Sequence, residues 1–69
     1  MTEPLPILIE NSLQIAWDFL ERSGAIADPQ QAAEILLESI KTQVLTGESR
    51  TLMLSNRAIA AFQQHQQAA

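Results

Sequence analysis

Three short signals cut this chain into helix-length pieces: Ser23-Gly24, Asp28-Pro29 and Gly47. The chain has two glycines, and each follows a run of helix-forming residues, where a left-handed C′ residue ends a helix. Ile26 stands where the hydrophobic contact that often accompanies such a cap is expected. Asp28 is a good N-cap, Pro29 fits the first helical position, and the acid suits the positive end of the helix dipole. No repeat, linker or strand-like alternation competes with these stops. They predict an all-α fold, a small three-helix bundle with helices at about residues 7–23, 29–46 and 55–66. Residues 1–69 form a single domain, with 1–6 as lead-in and 66–69 as a frayed tail. Pro4 and Pro6 disfavour helix at the residue before each but are tolerated in a first turn, so the first helix starts between Leu5 and Ile9. The third helix has two candidate starts, after Ser49 or after Ser55. In the second case Ser55 is the N-cap, and Leu52, Met53 and Leu54 form an apolar connector laid on the core.

The spacing of apolar residues assigns the buried faces. At 100° per residue, Ala32, Ala33, Leu36, Leu37, Ile40 and Val44 share an arc of about 140° on the second helix, with Ile35 well off it. On the first helix Leu8, Ile9, Leu13, Ile15, Ala16, Trp17, Phe19 and Leu20 cover about 200°. Ile9, Leu13, Ala16 and Leu20 make its central seam, Ile15 and Phe19 one flank and Trp17 the other. The third helix offers a narrow stripe of Ala58, Ile59 and Phe62, helped by Leu54.

A band of about 200° is wider than one neighbour covers, so the first helix either wedges between the other two or lends one edge to another chain, and the chain is short. At 69 residues it buries only about 60% of its unfolded surface. It has no cysteine, so disulfides and thiolate metal sites are excluded, and one histidine cannot complete a zinc site. Such a domain is stabilised by close helix packing or by a partner subunit. The expectation is a homodimer formed through Leu8, Ile15, Trp17, Phe19 and Ile35. For Trp17 a place at the edge of the core is favoured over the interface.

The charge balance argues against other functions. Eight acids against four bases leave a net charge of −4, a poor basis for neutralising phosphates or binding an anionic membrane. A nucleic-acid reading rests on Arg50, Ser55, Asn56 and Arg57, because the start of a recognition helix presents such side chains to base edges. Its plainer counterpart has Ser55 capping the helix while the arginines pair with Glu34, Glu38 or Glu48. A dimeric DNA-binding regulator is therefore the second expectation, behind a structural or interaction module. His65 lies in a glutamine-rich stretch without an orienting acid, and the carboxylates of the first helix lie on its polar arc, so no catalytic residue is assigned. No glycine-rich loop cradles a phosphate, and neither cofactor nor metal is expected. No apolar run reaches membrane-spanning length, and MTEPLPILIE lacks a basic segment ahead of its apolar residues, so a cytoplasmic location is expected.

The segments AWDFLERSG, ADPQQAAEILLESI and LMLSNRAIAAF resemble a group of short, uncharacterised bacterial helical proteins, over about residues 12–62. The resemblance implies a small helical cytoplasmic protein and marks Leu54 to Ile59 as its most distinctive run. It brings no activity and no site.

Overall fold

The computed structural model describes residues 4–68, with side chains to residue 66. Its three helices are α1 (Leu5–Arg22), α2 (Pro29–Leu45) and α3 (Thr51–Ala68), and no strand occurs among the described residues. All three pack against one another around a single core.

The helix ends follow the local chemistry. Both glycines adopt positive φ, +74° at Gly24 and +103° at Gly47. At the first, the Ala25 amide donates to the Leu20 carbonyl and the Gly24 amide to that of Glu21. At the second, Glu48 donates to Gln43 and Gly47 to Val44. These are paired Schellman bonds, which satisfy carbonyls that the helix itself leaves open. Asp28 caps α2: its Oδ1 accepts from the amides of Gln30 and Gln31 at 3.1 and 3.2 Å. Pro4 and Pro6 flank the first residue of α1, where a missing N–H costs nothing.

Of the two candidate starts of α3, the structure has the earlier one, after Ser49, and not the start at residue 55. The helix begins at Thr51, and the Leu54 amide donates to the Arg50 carbonyl as the first helical bond. Just ahead of it, Glu48 Oε2 accepts from the amides of Ser49 and Arg50, both at 3.1 Å, and orders the chain that enters the helix. The supposed connector is thus the first turn of α3, with Leu54 in the core and Leu52 in solvent. At the other end the helix extends to Ala68, past the expected end at 66. Gln66 Nε2 donates to the Ala25 carbonyl at 2.8 Å and ties this end to the α1–α2 turn.

The buried faces are ladders at i, i+4 spacing. α1 contributes Leu8, Ser12, Ala16 and Leu20; α2 contributes Ala32, Leu36 and Ile40 with Gln43; α3 contributes Leu54, Ser55, Ala58 and Phe62. Two expectations shift as a result. On α1 the seam runs through Leu8 and Ser12, while Ile9 and Leu13 are only partly buried beside it. Ser12 can lie in an apolar seam because its hydroxyl donates to the Leu8 carbonyl at 2.8 Å. On α2 the stripe is rotated away from Leu37, which is exposed, toward Gln43. Gln43 Nε2 donates to the Leu54 carbonyl at 3.1 Å and draws that side of α2 inward. Five of the fully enclosed positions are alanine or serine, so the three backbones approach closely.

Candidate functional site

The burial pattern leaves a surplus of apolar surface. Leu8, Leu20, Leu36, Ile40, Leu54 and Phe62 are the large apolar side chains that are buried. Leu5, Ile7, Ile15, Phe19, Leu37, Leu45 and Leu52 are exposed. A fold whose exposed large apolar residues match its core in number carries unpartnered surface, since each such side chain contributes about 1.5–3 kcal/mol when removed from water.

Of this surplus, four side chains line hollows in the surface: Ile15, Phe19, Leu5 and Leu45. The first hollow lies on α1 alone, holds about 480 Å³ and is lined by Ile15, Asp18, Phe19, Arg22 and Ser23. Ile15 is 41% and Phe19 52% exposed, one helical turn apart on the same flank. Their rim is polar and differentiated. Asp18 accepts from Gln14 Nε2 at 3.2 Å, while Arg22 has no ion pair among the described residues.

The second hollow is a trough of about 630 Å³ between α2 and α3, lined by Glu34, Ile35, Glu38, Ser39, Thr42, Gln43 and Ala61. Glu34 and Glu38 stand at i, i+4 on one face, a like-charge spacing that costs about 0.2–0.5 kcal/mol in an isolated helix. Neither has an ion pair among the described residues. Gln43 is 8% exposed; its Nε2 faces the Leu54 carbonyl and, more distantly, Ser39 Oγ, and its Oε1 is buried without a partner. The amide cannot turn over, because that would set oxygen against the Leu54 carbonyl. The third and smallest hollow, near the start of α1 and the end of α2, is lined by Leu5, Ile9, Lys41, Val44 and Leu45.

The five residues expected at an interface therefore separate. Ile15 and Phe19 come together on the exposed flank. Leu8, expected beside them, belongs to the core at 2% exposure, because the i, i+4 ladder through Ser12 turns it inward. Trp17 is half-buried against the core on the opposite flank. Ile35, also half-buried, lines the α2–α3 trough.

Of the four residues proposed for nucleic acid, Arg50, Asn56 and Arg57 are exposed and Ser55 is not. Ser55 is fully buried one turn inside α3, and its hydroxyl donates to the Leu52 carbonyl, so it neither caps a helix nor reaches a ligand. Arg50 and Arg57 converge on Glu48: Arg50 Nε lies 3.2 Å from Oε2, and Arg57 Nη1 lies 3.9 Å from Oε1. The Arg50 guanidinium and backbone amide hold the Glu48 carboxyl below the usual glutamate range. Asn56 is exposed between them. Among the described residues no three of His, Asp and Glu gather as a metal would need, and no helix is long and apolar enough to cross a membrane. His65 Nε2 sits 3.3 Å from the Gln31 amide nitrogen, which donates to it when the ring carries its proton on Nδ1.

Ser12 and Gln43 escaped the apolar pattern because it ranks residues by side-chain hydrophobicity. Their polar atoms are largely consumed by nearby backbone carbonyls, a signal visible only in i, i+4 spacing for Ser12 and not at all for Gln43. No family model, curated protein or solved structure matches this chain.

Proposed function

We propose that this chain is a small, non-enzymatic interaction module of the cytoplasm, which associates with a second copy of itself through the exposed flank of α1. The observation that carries the reading is the side-by-side exposure of Ile15 and Phe19, one turn apart, in a fold whose own core ends at Leu8 and Leu20. Interfaces are enriched in aromatic anchors, and Phe19 is the one exposed aromatic side chain among the described residues. In the nucleic-acid reading Ser55 lies in the core, and Arg50 and Arg57 share the one carboxylate of Glu48, which offsets one of their two charges.

Light scattering coupled to size-exclusion chromatography tests the reading directly. The wild-type chain should elute at twice its 7.6 kDa mass at micromolar concentration. Phe19→Glu should elute as a monomer with unchanged helical circular dichroism, because the side chain contributes nothing to the core. A monomeric wild type, or a dimer indifferent to Phe19→Glu, refutes this use of α1.

A further inference from the structure

We infer that the surface receiving the α1 flank is the α2–α3 trough of the second copy, and that the contact is reciprocal. The inference rests on the self-association proposed above and specifies its geometry. Area is the first argument. Ile15 and Phe19 expose on the order of 200 Å² together, scaled from the area of an aromatic side chain. A stable interface buries about 800 Å² per partner. Pairing α1 with α1 across a two-fold axis uses this flank alone. Seating each flank in the other copy's trough brings both of the larger hollows of each chain into the interface.

Charge is the second argument. Arg22, beside Phe19, is a cation without an ion pair, and Glu34 and Glu38, beside Ile35, are anions without one. Asp18, the acid that an α1–α1 pairing would offer to Arg22, is already engaged by Gln14. Phe19 and Ile15 meet Ile35 and Ala61 in the trough, while Arg22 lies over the two glutamates. Glu34 and Glu38 then exchange a repulsive neighbour for a cation. Reciprocity closes the assembly: a one-way flank-to-trough contact would propagate into a ring or filament.

Charge exchange tests this geometry in the intact chain, since all three positions are exposed and their substitution leaves the core untouched. Arg22→Glu and the double variant Glu34→Arg, Glu38→Arg should each weaken the dimer about tenfold or more, and their combination in one chain should recover most of that loss. Recovery of Arg22→Glu by Asp18→Arg instead would show that α1 pairs with α1; the trough falls while self-association stands. Insensitivity of the dimer to both reversals, or a mass growing beyond two copies, also overturns the trough. A wild type that stays monomeric overturns both. The chain has no cysteine, which permits a second readout. Mixed Arg22→Cys and Glu38→Cys proteins should form the crossed disulfide in preference to either like pair; a preference for the Arg22→Cys like pair contradicts the inference.

Discussion

Gln43 concentrates the tension between burial and polarity in a single side chain. Its nitrogen bonds to the Leu54 carbonyl, whereas its oxygen is buried with no donor. A bond of the first kind contributes about 0.5–1.5 kcal/mol, and an unsatisfied acceptor costs about 1–3 kcal/mol. The cost is the larger, so Gln43→Met, which keeps the length of the side chain and removes both atoms, should leave stability unchanged or raise it by about 1 kcal/mol. Urea unfolding followed by Trp17 fluorescence measures this, and a loss above about 2 kcal/mol would mean that the oxygen has a partner after all. Ser12 and Ser55 face the same problem and solve it locally, each hydroxyl donating to a carbonyl three or four residues back. Glycine supplies a cleaner case. Gly47 has φ +103° and open space around its missing side chain, so Gly47→Ala should destabilise through backbone strain alone, by about 1–3 kcal/mol in thermal melts.

At the scale of the element, the turn between α2 and α3 depends on Glu48. Its backbone amide closes the end of α2, its Oε2 receives the amides of Ser49 and Arg50 and the Arg50 guanidinium, and Arg57 approaches its Oε1. Because the folded chain holds this carboxyl below its ordinary value, the unfolded chain binds the proton more readily. The associated stability is present above the ordinary glutamate pKa of about 4.3 and is lost as pH falls through the lower folded value. Glu48→Gln should therefore lower Tm at neutral pH and flatten its acid decline, and melts between pH 7 and pH 3 report both. This turn also marks where the helix pattern stops being readable from sequence. α2 is legible because Asp28, Pro29 and Gly47 are conventional signals at both ends. The start of α3 is only half legible, because Ser49 and Ser55 each advertise one; the helix takes the earlier, which places Ser55 inside it and on the core. The α1 flank was visible as excess apolar arc, but which of its members turn inward depends on the Leu8–Ser12 ladder and the neighbours that meet it.

For the molecule as a whole, a radius of gyration of 11.5 Å matches the roughly 11 Å expected of a compact chain this long. Compactness is thus reached without using Phe19, Leu45 or Leu52, which are 52%, 86% and 67% exposed. If association covers part of this surface, folding and assembly are linked, and Tm must rise with concentration. Over about a hundredfold dilution the wild type should lose several degrees while Phe19→Glu, already monomeric, should not change; differential scanning calorimetry distinguishes the two. The seam of Ser12, Ala16, Ala32, Ser55 and Ala58 carries a different consequence for the chain's tolerance of change. At these five positions little more than a Cβ stands between one backbone and the next. Replacing any of them with glycine costs about 1 kcal/mol of helix propensity, whereas a larger side chain must lever two helices apart, so these sites tolerate shrinkage better than growth.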